Sequence, residues 1–80
     1  MSDDIIVTNM GSVSGKRIVK VLGVVYSSRY IWTTTNRAIR KALEDVKKQA
    51  RELGANAIVS LRITKDLLSV QVTGTAVVVE

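Results

Sequence analysis

The chain has 80 residues, 46% hydrophobic and 24% charged, with twelve Lys and Arg against seven Asp and Glu for a net charge of +5. That length sets one domain, residues 1–80, and the apolar content excludes a disordered tail. Cys, His, Pro and Phe are all absent, which excludes a disulfide framework, a thiol nucleophile, Ser-His-Asp chemistry and ligation of a metal by thiolate or imidazole.

The acidic opening at residues 1–4 is followed by no long apolar run, so neither a signal peptide nor a membrane span is expected. The expected location is cytoplasmic, with no membrane partner. Residues 5–8 form a short β-branched run that reads as a strand, and Asn9, Gly11, Ser12, Ser14 and Gly15 mark a loop. Residues 17–26 read as a second strand. Val19, Val21 and Val25 are expected on one face and Ile18, Leu22 and Val24 on the other, so both faces need cover. Gly23 inside this run suggests a bulge or a close backbone approach.

Residues 27–35 hold Tyr30 and Trp32, which with Tyr26 are the only aromatic residues. In an extended segment these three even-numbered positions project to one side, with Arg29 between them. Residues 36–53 form a helix. Asn36 is a good N-cap and Thr35 an acceptable one, Gly54 sits where a left-handed C-cap belongs, and Ile39, Ala42, Leu43, Val46, Ala50 and Leu53 make an apolar stripe. Its six basic and three acidic residues read as a solvated face of mixed sign. Two strands follow, joined by a turn near Lys65-Asp66. Ala57, Val59, Leu61 and Ile63 alternate with Ile58, Ser60, Arg62 and Thr64 in the first, and Leu68, Val70, Val72, Ala76 and Val78 with Ser69, Gln71, Thr73, Thr75 and Val77 in the second.

The order β-β-α-β-β defines an α+β two-layer sandwich, one helix packed on a small, mainly antiparallel sheet. A domain this small has a thin core and no disulfide to brace it. Apolar residues on the face the helix leaves uncovered point to self-association, with Val19, Val21, Val25, Val77 and Val79 as the interface.

The residues also resemble a known family. The stretches IIVTN at 5–9, IVKVLGVV at 18–25, ELGANAIV at 52–59 and GTAVVVE at 74–80 are similar, in order, to those of the YbjQ-like proteins, a group of small uncharacterised chains. The resemblance implies a dodecin-subunit-like fold and a ring-shaped homopentamer. It departs between the second strand and the helix, where typical members carry a longer segment with added helix and this chain has only the aromatic-rich stretch 27–35. The heavy-metal-binding label of the family transfers no residue. Met1 and Met10 are the only soft donors, and Asp3 and Asp4 make at most a weak site for a hard cation. No metal site and no cofactor are expected.

Candidate sites follow from side-chain chemistry. Tyr26, Arg29, Tyr30 and Trp32 can stack a nucleotide or flavin between subunits, although the ordinary role of such rings is to anchor an interface or core. Residues 33–37 can hold a phosphate or sulfate at the helix start, or simply cap it. Arg62, repeated around a ring, offers an anion site. Weak binding of single-stranded nucleic acid rests on the net charge and the same rings. No tuned general acid or base is visible, so no enzyme is expected. The overall reading is a small basic homo-oligomer, with binding of a small anionic ligand as its alternative.

Overall fold

The chain forms β1 (Ile6–Val7), β2 (Ile18–Tyr30), α1 (Thr35–Leu53), β3 (Ala57–Lys65) and β4 (Ser69–Val79); the computed structural model describes residues 5–80. The strands make one four-stranded sheet in the order β1-β3-β4-β2. Only the β1–β3 pair is parallel; β3–β4 and β2–β4 are antiparallel. One helix lies on one face of this mixed sheet, the α+β arrangement expected from the element order.

Helix α1 buries Ala38, Ala42, Val46 and Ala50, a row at four-residue spacing. Three of the four are alanines, so the helix axis can approach the sheet closely. The row packs on Val25, Ile58, Val70, Val72 and Ala76, with Ile39, Leu43 and Leu61 at the margins. Leu53, expected in the stripe, is exposed. The helix starts one residue earlier than expected. Its N-cap is Thr34, not Asn36 or Thr35, and the Thr34 hydroxyl accepts the Arg37 N–H at 3.2 Å. Gly54 closes the other end at φ 89°, in the left-handed C-cap conformation.

Strand β2 extends four residues past the expected end, because residues 27–30 continue the ladder with Val72, Gln71, Val70 and Ser69. It also breaks step twice against β4, between Ile18 and Lys20 and between Val21 and Gly23. Gly23, at φ 153°, marks the second bulge. An added residue exchanges the sides of a strand, so the expected shared face of Val19, Val21 and Val25 does not form. Val25 lies under α1 and is 1% exposed. Val21 pairs with Val77 on the outer face, and both Val19 and Val21 are exposed.

Strand β3 shows the same effect. Its register shifts between Val59 and Arg62 around Ser60, which has φ 55°. Ala57 and Val59 therefore pack on the outer face, while Leu61 packs against the helix-side core. The single apolar face expected for Ala57, Val59, Leu61 and Ile63 is split by this bulge.

The outer face is half covered. Val13 and Ile18 pack on Ala57, Val59, Val77 and Val79, and the incoming segment is fixed by Ser60 N–H to Met10 O (2.8 Å) and Leu61 N–H to Thr8 O (3.1 Å). Val77 and Val79, assigned above to a subunit interface, are thus buried within the protomer, as is Val25. The other half stays open and presents Val21, Val24, Tyr26 and Tyr30 from β2 beside Thr75, Thr73 and Ser69 of β4.

Candidate ligand-binding cleft at the helix N-terminus

Beyond Gly23, odd-numbered residues of β2 face the helix and even-numbered ones face outward. Ser27 and Arg29 therefore turn towards α1, and both meet Asp45. The Arg29 guanidinium makes a two-pronged pair with it, Nε to Oδ2 at 2.6 Å and Nη2 to Oδ1 at 2.8 Å, and the buried Ser27 hydroxyl donates to Oδ2 at 2.6 Å. These bonds, first from Arg29 and then from Ser27, outweigh partial desolvation and hold the Asp45 carboxyl down to about 2, with the charges of Arg29 and Lys48 assisting. Arg29 is shifted upward in turn by the hydrogen bond and charge of Asp45.

This pair forms one wall of a cleft of about 450 Å³, within the ~300–1,000 Å³ range of small-molecule sites. Trp32 and the outward-facing Tyr30 border it at the end of β2, and Thr34, Arg37 and Lys41 line the start of α1. The two rings meet edge to face, with centroids 6.4 Å apart and planes at 63°. Trp32 is 88% exposed, so its indole is a surface group at the cleft mouth.

The charge in the cleft is unbalanced. Asp45 is matched by Arg29, whereas Arg37 and Lys41 have no ion-pair partner among the described residues. The first turn of α1 contains no acidic residue. A helix start carries roughly half a positive charge from its aligned peptide dipoles. Two unpaired cations therefore add to a terminus that already favours an anion.

Three of the five expected ligand residues, Arg29, Tyr30 and Trp32, come together here. Tyr26 does not. It lies on the open outer face, and its backbone is bound by Gln49 of the helix. Arg62 is also outside the cleft, on the outer face opposite Thr73. Arg37 falls in the stretch 33–37 read as a phosphate site or cap, whereas Lys41 was read only as part of a solvated helix face. The available signal was their spacing, since Arg37, Lys41 and Asp45 recur every four residues and so form one row along the helix.

Among the described residues no group of three or more His, Cys, Asp or Glu is placed to hold a metal ion. Asp3, Asp4 and Met1 lie outside them. Met10 is exposed. Among the described residues, no helix is long and apolar enough to cross a membrane.

Residues 28–80 match the family model YbjQ_1, described as "Putative heavy-metal-binding". The chain is 32% identical to a UPF0145 protein of Methanothermobacter thermautotrophicus, with 96% of this chain and 92% of that one covered. It is 31% identical to a UPF0145 protein of Hahella chejuensis, with 94% and 99% covered. It therefore belongs to this YbjQ-like family of uncharacterised proteins. The two alignments run over 105 and 103 positions, more than the 80 residues here, so both relatives carry residues that this chain lacks. The crystal structure of a protein of unknown function in the DUF74 family, from Pediococcus pentosaceus, superposes with a TM-score of 0.78 at 18% identity, covering 95% of this chain and 98% of that one, and so shares the fold. The metal in the family description does not fit the donors present. A soft ion asks for thiolate, imidazole or clustered thioether, and this chain has neither Cys nor His.

Proposed function

We propose that this protein is a non-catalytic binding module for a small phosphate-bearing ligand, held in the cleft at the start of α1. One observation carries the reading: Arg37 and Lys41, both without a carboxylate partner among the described residues, share a cleft with the helix N-terminus and the Tyr30–Trp32 pair. The phosphate takes the Arg37 and Lys41 charges and the free backbone N–H groups of the first turn. An attached ring, as in a nucleotide or flavin mononucleotide, rests against Trp32. Arg29 serves as a positioning residue, locked by Asp45. Trp32 is the only tryptophan, so its fluorescence reports the site directly. Titration with inorganic phosphate, AMP and flavin mononucleotide tests the idea: AMP or the flavin should quench Trp32, and Arg37→Ala with Lys41→Ala should weaken this at least tenfold. Unchanged emission with all three ligands defeats the reading.

A second reading, assembly into a homo-oligomer such as a pentameric ring, is supported by the open half of the outer face. There Val21, Val24, Tyr26 and Tyr30 are exposed in a row along β2, and monomers rarely leave such a surface bare. Of the residues first assigned to that contact, only Val19 and Val21 are at the surface. Sedimentation at micromolar concentration should show an oligomer that Val24→Lys weakens. A folded single-copy species would exclude it.

A further inference from the structure

The end of the molecule that holds the cleft also carries the two most exposed large apolar side chains among the described residues, Leu67 and Trp32, with Leu68 beside them. Trp32 is 88% exposed, Leu67 89% and Leu68 66%. They lie on neighbouring segments, because Ile31 N–H bonds Leu68 O at 2.7 Å and brings the β2–α1 connection beside the β3–β4 turn. None of the three belongs to either core cluster. The turn itself is well built, with Asp66 N–H bonded to Ser69 O at 2.8 Å, so the leucines are presented on a defined scaffold. Around them stand Arg29, Arg37 and Lys41 in the cleft and Lys65 at the end of β3. The carboxylates there are Asp66 in the turn and Asp45, and Asp45 is occupied by Arg29.

An indole and two leucines projecting from adjacent loops, rimmed by basic residues, match the chemistry of the boundary between lipid headgroups and acyl chains. Tryptophan favours that boundary, leucine gains from entering it, and each basic residue is drawn to an anionic leaflet. We propose that this end docks on an anionic phospholipid surface, with Trp32, Leu67 and Leu68 in the headgroup region and a lipid phosphate in the cleft. Such docking needs no membrane-spanning segment. It reverses the expectation of no membrane partner, and its phosphate contact rests on the cleft reading given above.

The test uses the full chain with vesicles of phosphatidylcholine alone and of phosphatidylcholine mixed with phosphatidylglycerol. Binding is followed by co-sedimentation and by the emission maximum of Trp32. Binding and a blue shift should appear only with the anionic mixture and should fall with added salt. Leu67→Ser with Leu68→Ser should weaken vesicle binding about tenfold or more while leaving the response to soluble AMP intact. Arg37→Ala and Lys41→Ala should each cost about fivefold. Absence of binding to the anionic vesicles, or binding indifferent to the leucine changes, overturns the proposal. In that event a persisting AMP response leaves the cleft reading in place, and loss of both removes it as well. Should sedimentation show that the leucine changes instead dissolve a self-associated species, the apolar end is covered by a second copy and lipid docking is excluded.

Discussion

Gln49 treats Tyr26 as a neighbouring strand would: its Oε1 accepts the Tyr26 N–H at 3.0 Å and its Nε2 donates to the Tyr26 carbonyl at 2.7 Å. Strand β2 is an edge of the sheet, and an open edge is a template for pairing with another chain. The helix thus lends one side-chain amide to close that edge at its midpoint. Replacing Gln49 with Ala is expected to cost about 1 kcal/mol and, more tellingly, to raise self-association. Light scattering over time checks this, and Gln49→Glu should behave similarly, because a carboxylate cannot donate to the Tyr26 carbonyl.

Asp45 ties stability to acidity. Its carboxyl lies at about 2 in the folded protein against a reference value of 3.8. A depressed value means that the folded state binds the proton less readily than the unfolded chain. The stabilisation is therefore complete above about pH 4 and is lost as the pH falls through about 2. Thermal melts between those limits should fall more steeply for the natural chain than for Asp45→Asn, and the two should converge at the acid end. Parallel curves would show that the Arg29–Asp45 contact contributes nothing.

The helix cap discriminates between neighbouring residues. Thr34 accepts the Arg37 N–H, so Thr34→Ala is expected to cost roughly 0.5–2 kcal/mol. Asn36→Ala, inside the first turn, should be close to neutral. Denaturant midpoints of the two variants measure the difference, and equal losses would contradict this assignment of the cap.

Gly74 is the most tightly enclosed of the glycines. A Cβ built there would stand 2.6 Å from Ile58 Cγ2 and 3.4 Å from Leu61 Cδ1. Neither is the far end of a flexible polar chain able to swing into water. Gly74→Ala should therefore destabilise by about 1–3 kcal/mol, the usual cost of overpacking, and lower the melting temperature by roughly 4–8 °C per kcal/mol. Calorimetry of this one variant decides whether the bulged part of β3 really lies so close to β4.

Much of the architecture was legible in hydrophobic spacing. The element order, the helix with its Gly54 cap, the break at Gly23 and the turn after Lys65 all follow from local pattern, because each depends on residues near one another in the chain. What escaped was the side assignment beyond a bulge. Gly23 announces itself by type, but Ser60 does not, and nothing local says that Ser60 will adopt a positive φ. Val25 and Leu61 were accordingly placed with the wrong neighbours. The cleft was half visible for a similar reason. Arg29, Tyr30 and Trp32 are close in sequence and were seen as a group. Arg37 and Lys41 join them only because the β2–α1 connection folds back, and Asp45 meets Arg29 across sixteen positions. Val77 and Val79 looked free for a partner because the cover over them comes from Val13, in a loop whose path has no periodic signature.

All three irregularities in the sheet place their surplus residue in β2 or β3, while β4 runs from Ser69 to Val79 without a missed beat. Strand β4 is therefore the ruler against which its neighbours are measured. Losing or gaining one residue in it would swap the oily and wet sides for everything on one side of the change, in register with two partners at once. A slip in either flanking strand meets a kink already able to absorb it. Length variation in this protein is thus tolerable at the margins of the sheet and intolerable along its spine.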